Sequence, residues 1–449
     1  MPMTIKNKRR LTTIFATHFP KKLRFKVITF SVLLVALYVL LQDTNYLRYV
    51  NSYVEDNDQQ NKKLNKIFEI EPFMLTKSSL NTTQNQNITS TKHTEESNEN
   101  STLPKPSSIS TNDTQNSELS KTFFRRVAFV KVHKAGSSTA QNIFLRYGES
   151  RNLTFVISRV RDHQFDNVIS LQSSLNNDNI LPPPPNRTFD ILCCHVLYDN
   201  EAFHKYMPID TAYIGIVREP FDQFLSTLNY FRPSHILKDI IAENKVLKYL
   251  QYPTHYENGL PYRWSYTNNR MAVEFGFPSS LFHHYSEEDS MNYLSKLDKE
   301  FQFVIVMEYF TESVVMMRRI LGWTIKDVLY LRKNTARKSY LFVDNTNRYL
   351  YERFAKLDYD LYNFFYRRLW SQIQKEGLDF HLELLYFDRL REGVEDYCIL
   401  KAHHSKGYYV ESSKWSTSFT VTQKDCEYLN MHEISFVKKI RYRQYDYLE

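Results

Sequence analysis

Lys131, His133 and Lys134 stand at or just past the end of a nearly continuous apolar run, Val127–Val132. Ala135, Gly136, Ser137, Ser138 and Thr139 follow before apolar residues resume at helical spacing. Small residues let backbone N–H groups approach an anion closely, and the start of a helix adds its dipole. The hydroxyls donate further bonds, and a lysine at the lip supplies a point charge for a transferring group. The order is not that of a Walker loop, because the lysine precedes the glycine and serines. Taken alone, the loop reads equally well as a strand-to-helix turn whose serines cap the helix.

A second segment, "IGIVREPFDQFLSTLNYF", weighs against that bland reading. It ends a strand at Val217, places Arg218 just beyond it, and puts Ser226 eight residues later on the helix that Pro220 begins. Arg218 can fork onto a phosphate while Ser226 donates to the same group. An alcohol substrate would also need a base, and histidine suits proton transfer near neutrality. His195, at the end of "FDILCCHV", is the first candidate and His133 the second. A lone histidine at a strand end is more often a satisfied structural imidazole. Here it gains weight from the two anion loops.

These residues require a scaffold that brings strand ends together. Val127–Val132, Leu153–Ser158, Phe189–Val196, Thr211–Val217 and Phe301–Phe310 read as strands. Between them lie helix-prone stretches, one from Ala140 with a stop at Gly148 and one capped by Thr311. Ser173–Pro185 is loop. Alternation of this kind predicts an α/β fold, a parallel sheet flanked by helices, with ligands at the carboxyl ends of the strands.

The N-terminal quarter differs in kind. Residues 1–26 form a basic tail whose eight Lys and Arg, with no acidic residue, hold the whole excess of the +8 net charge. The remainder is balanced, so composition gives no support for a nucleic-acid partner. Val27–Leu41 is fifteen uncharged residues, about 22 Å of helix, short for a bilayer but extensible by snorkelling. A signal anchor is expected, with the positive end in the cytosol and the remainder lumenal. Residues 42–121 read as a flexible stem carrying the sequons at Asn81, Asn87, Asn100 and Asn112. Asn152 and Asn186 continue the series into a catalytic domain spanning 122–449. Cys398 and Cys426 flank a polar segment and are expected to form a disulfide, whereas Cys193 and Cys194 read as buried thiols. No spacing suggests a metal site.

The lysine-and-hydroxyl loop, together with Arg-x-Pro and its Ser eight residues later, resembles sulfotransferases that use 3′-phosphoadenosine 5′-phosphosulfate (PAPS). "KVHKAGSSTAQNIFLRYGE", "MEYFTESVVMMRRILGWTIKDVLYL" and "LYNFFYRRLWSQIQKEG" are similar to the galactose-3-O-sulfotransferase family over about Phe123–Glu449. The resemblance implies a P-loop-like sulfotransferase fold behind one transmembrane helix, and a type II protein of the Golgi membrane. It implies sulfation of galactose on a galactosylceramide-type glycolipid or on a glycoprotein glycan. It makes Lys134 and residues 135–139 the phosphosulfate cradle, and Arg218 and Ser226 the clamp on the 3′-phosphate. His195 or His133 becomes the base, and no metal is called for. Lys131 would line the same mouth. "YTNNRMAVEFG", with Asn268, Asn269 and Arg270, resembles a family segment near the site without an assigned role. Tyr262, Trp264 and Tyr266 could stack on a sugar or belong to the core. The basic loop Leu331–Lys338 could approach the nucleotide or simply be solvated.

Two rival functions share parts of this pattern. A lumenal glycosyltransferase would use Asp-x-Asp to hold a metal–nucleotide sugar, and Asp358-Tyr-Asp360 is present. Its helical surroundings place both aspartates on a helix surface. A galactose-binding protein without catalysis would have no use for two anion loops.

Overall fold

The computed structural model describes residues 123–160, 166–231, 235–332, 341, 343–399 and 407–445. The basic tail, the apolar run Val27–Leu41, the stem and its sequons, and most of Leu331–Lys338 lie outside them. No helix among the described residues is long and apolar enough to cross a membrane.

Four parallel strands form the central sheet: β1 (Arg126–Phe129), β2 (Ile191–Leu192), β3 (Thr211–Val217) and β4 (Phe303–Val306), in the order β2-β1-β3-β4. Val127 pairs with Ile191 on one side and with Ala212 on the other, and Ile214 pairs with Phe303. Every residue of β3 is buried, as its unbroken apolar sequence requires for a strand covered on both faces. The chain steps from β1 to β2, then crosses back over β1 to β3. The strand order therefore reverses between β1 and β3, and their exit loops diverge there to leave a crevice.

Eight helices bear on the site and its support. They are α1 (Ser137–Ser150), α2 (Pro220–Tyr230), α3 (Arg270–Glu274), α4 (Phe310–Leu321), α5 (Lys356–Glu376), α6 (Leu378–Ile399), α7 (Gln423–Asn430) and α8 (Glu433–Tyr445). Phe144 of α1 packs on Phe129 of β1, and Tyr147 stacks on Trp323 at 3.6 Å between ring centroids. Cys398 and Cys426 are bridged as expected, tying α6 to α7, while Cys193 and Cys194 are buried free thiols. A small hairpin, β5 (Tyr408–Val410) with β6 (Phe419–Val421), lies between those two helices in sequence.

Several local expectations change. Leu153–Ser158 is not a regular strand, and only isolated bridges at Phe155 and Ser158 mark its pairing. Side chains take some of its backbone bonds: Gln444 of α8 both donates to and accepts from Phe155. Strand β2 ends at Leu192, so His195 lies beyond the strand and not at its last residue. Gly148 does not stop α1, which continues to Ser150. A Cβ at Gly148 would collide with the Phe155 ring, so the glycine admits a close contact. Thr311 lies inside α4 behind an uncapped Tyr309, and its hydroxyl meets Tyr330 instead. Asp358 is not on a helix surface but fully buried.

Candidate functional site

The loop after β1 is held in a shape that glycine alone fits. Gly136 has φ 72° and sits at the start of α1, where an added Cβ would run into Met307 Sδ. Lys134 also adopts a left-handed φ of 60°, unfavourable for a residue with a Cβ, which marks the loop as constrained by its surroundings. Gly136, the N-cap of α1, offers no side-chain cap to its first turn. Ser137 does not contribute its hydroxyl there, because it donates to the Val132 carbonyl and ties the loop back to the strand. Ala135 is buried, Ser138 is exposed, and Thr139 donates its N–H to the Gly136 carbonyl. An uncapped helix start with small residues at the lip is the arrangement that accepts an anion.

Arg218 comes to the same loop from β3. Its Nη1 donates to the Lys134 carbonyl at 2.9 Å. Pro220 opens α2 as expected, and Ser226 lies half-buried on that helix. The Lys134 ammonium rests 3.7 Å from the centre of the Tyr230 ring. Burial lowers its pKa, Arg218 lowers it further, and Glu433 pulls the other way. Two neighbouring cations that repel one another at this helix start fit an anionic group.

Lys131 does not face this mouth as an exposed lysine. It is buried, and its ammonium donates to Gln141 at 2.5 Å and to Glu433 at 2.7 Å. Glu433 lies at the start of α8 and also accepts from Asn167. Burial alone would raise its pKa, but Lys131 holds it below the usual value. A lysine this enclosed needs a carboxylate partner to stay charged.

The two histidines lie together, with ring centroids 3.9 Å apart and nearly parallel planes. They have different partners. His195 Nδ1–H donates to the Lys131 carbonyl at 2.9 Å, which leaves Nε2 as an acceptor. Burial pushes its pKa well below the usual 6.5, reinforced by His133, Lys131 and Arg270, so His195 is neutral. His133 Nδ1 meets the Glu274 carboxylate, whose other oxygen accepts the His133 backbone N–H at 2.8 Å. Gln223 of α2 closes the turn by donating to the His133 carbonyl at 3.1 Å.

Glu274 belongs to α3, within the segment that had no assigned role. Burial acts to raise its pKa, yet Arg270 and His133 hold it at about 2. Arg270 donates to Glu274 at 2.9 Å and to the Arg263 carbonyl at 3.0 Å, with its guanidinium 4.5 Å from the centre of the Tyr266 ring. Tyr266 in turn meets the edge of His133 and packs on Phe231. Tyr262 stacks on Phe282 instead, and Trp264 is exposed. Ligand atoms of His133, His195 and Glu274 lie within 4.8 Å of one another, a spacing a divalent ion could bridge. The carboxylate is already shared between an imidazole and a guanidinium, which suits proton handling.

Glu274, Gln223 and Glu433 were not found from sequence. The Arg270–Glu274 pair has the i, i+4 spacing of a helical ion pair and was visible in principle. Its meeting with His133, 141 residues earlier in the chain, was not.

The chain belongs to the galactose-3-O-sulfotransferase family, whose model matches residues 59–404. Human galactosylceramide sulfotransferase is 29% identical over 257 residues, covering 56% of this chain and 59% of that protein. Mouse galactose-3-O-sulfotransferase 2 is 30% identical over 263 residues, covering 56% of this chain and 63% of that protein. Mouse galactose-3-O-sulfotransferase 3 is 28% identical over 258 residues, with 56% and 58% covered. The match thus spans about three fifths of the length of these relatives.

Proposed function

We propose that this protein transfers the sulfuryl group of PAPS to the 3-hydroxyl of a galactose on a glycolipid or glycoprotein glycan. The observation that carries the reading is the bond from Arg218 to the Lys134 carbonyl, which joins the two anion loops directly beside the His133–Glu274 pair. The donor supplies a sulfuryl group on a phosphate leaving group. Lys134 and the start of α1 would hold that end, and Arg218 with Ser226 the 3′-phosphate. The family membership supports the reaction class, and the relatives' names support galactose as acceptor.

His133 is the better base on this geometry, although His195 ranks first on sequence. A base must carry positive charge once it takes the acceptor proton. An imidazolium at His133 would face the Glu274 carboxylate, while one at His195 would face burial and three positive or ionisable neighbours. His195 Nε2 remains available to accept a hydrogen bond from a sugar hydroxyl. In the same reading, the basic tail, the apolar run and the sequons support a Golgi membrane protein with its catalytic part in the lumen.

A metal-dependent glycosyltransferase is disfavoured by Asp358, whose carboxylate is buried and accepts from the Ala272 N–H at 2.7 Å. Incubating the detergent-solubilised full chain with radiolabelled PAPS and a panel of galactosides tests the proposal. Sulfate should appear on O3 of galactose. Transfer to no galactoside, or transfer of a sugar from a nucleotide sugar, would end it.

A further inference from the structure

Asp358 is a buried carboxylate that the reaction does not touch, on a helix otherwise concerned with packing. Its Oδ1 accepts from Ala272 N, inside the first turn of α3, at 2.7 Å. In return, Asn269 Oδ1 accepts from Asp358 N in the first turn of α5 at 3.1 Å. Each helix begins with N–H groups that it cannot satisfy itself. Neither has a side-chain cap from its own N-cap residue, Asn269 for α3 or Ala355 for α5. The two helix starts therefore cap one another, and Asn269 takes a left-handed φ of 49° to reach across.

The consequence reaches the site because α3 has only five residues, too few to hold its own shape. Arg270 and Glu274 occupy its two ends, and Glu274 holds both Nδ1 and the backbone N–H of His133. Beyond Glu274 the chain turns sharply at Gly276, φ 71°, where a Cβ would strike the Tyr198 carbonyl. We propose that Asp358 is a positioning residue for the proposed base, fixing through its reciprocal cap with Asn269 the turn from which Glu274 orients His133. This rests on the sulfotransfer reading for its catalytic meaning and on geometry alone for its structural part.

The test compares full-length protein carrying Asp358→Ala, Asp358→Asn or, as a control on the same helix, Asp360→Ala. Asp360 accepts from Ser290 and Tyr285, away from α3. Two quantities are read: kcat and KM for galactoside sulfation, and the rate of carbethoxylation of His133 by diethyl pyrocarbonate at one fixed pH, mapped by peptide mass. Asp358→Ala should lower kcat about 10²-fold, the cost of misplacing a catalytic group by an ångström. It should leave the donor KM near its original value and raise the carbethoxylation rate of His133 as Glu274 loses its hold on Nδ1. Asp358→Asn keeps an acceptor oxygen for Ala272 N and should restore both kcat and the modification rate, and Asp360→Ala should move neither. The proposal is overturned if Asp358→Ala leaves the modification rate unchanged, if Asp358→Asn fails to rescue, or if Asp360→Ala has the same effect. If the wild type sulfates no galactoside but the modification rate still follows Asp358, the functional reading fails and the positioning role stands.

Discussion

The proposed anion loops and the proposed proton-handling group lie side by side but are built by opposite means. Lys134–Thr139 is contiguous, and its shape follows from a glycine, a helix start and a strand end. The His133 pair is assembled from α3, the loop after β1 and α5, with each carboxylate reached across a long stretch of chain. Anions are bound largely by backbone N–H groups and dipoles, which a short local sequence can supply. An imidazole that must be aimed and have its charge balanced needs side chains from elsewhere in the fold.

That contrast explains what could be read in advance. The parallel sheet, the α2 start at Pro220, the loop residues and the cysteine bridge were legible because each depends on neighbouring residue types or on compartment. For Lys131 and Ser137, sequence placed the residues in the loop but could not show that Gln141, Glu433 and the Val132 carbonyl would meet their polar atoms. Asp358 looked like surface because helical periodicity says which residues share a face and not what covers that face. Leu153–Ser158 carries a strand's composition, but side chains of α8 take bonds that a neighbouring strand would otherwise make.

If the contrast is sound, the largest loss of turnover should come from the assembled half. His133→Ala should cut kcat by about 10²–10⁴ with little change in affinity for adenosine 3′,5′-bisphosphate, measured by calorimetry. A larger effect from His195→Ala would return the base to the sequence-favoured histidine. Next, Lys134→Ala or Arg218→Ala should weaken bisphosphate binding by about 10- to 100-fold, the scale of a charge-assisted hydrogen bond. Unchanged affinity would detach that residue from the nucleotide.

Separating the bridge by Cys398→Ser should lower stability by about 2–4 kcal/mol, seen in thermal unfolding, with α7 the first helix to gain hydrogen exchange. His195 sets a pH dependence of stability. Its folded pKa lies below its unfolded value, so the unfolded chain takes the proton first as pH falls. Stability should therefore decline as pH drops below about 6.5, and His195→Gln should flatten that limb in a denaturant series. Smallest of all, Ser137→Ala should cost about 1 kcal/mol and leave bisphosphate affinity intact, since its hydroxyl serves the loop.

The ion pair between Lys131 and Glu433 joins residues 302 positions apart. During synthesis, the loop that follows the first strand must wait for the ribosome to deliver all of that chain before its lysine is neutralised. Until then the buried lysine lacks its carboxylate, so the loop it anchors reaches its final form only once the last helix is in place. The Cys398–Cys426 bridge fixes α7, the helix that immediately precedes the one beginning at Glu433.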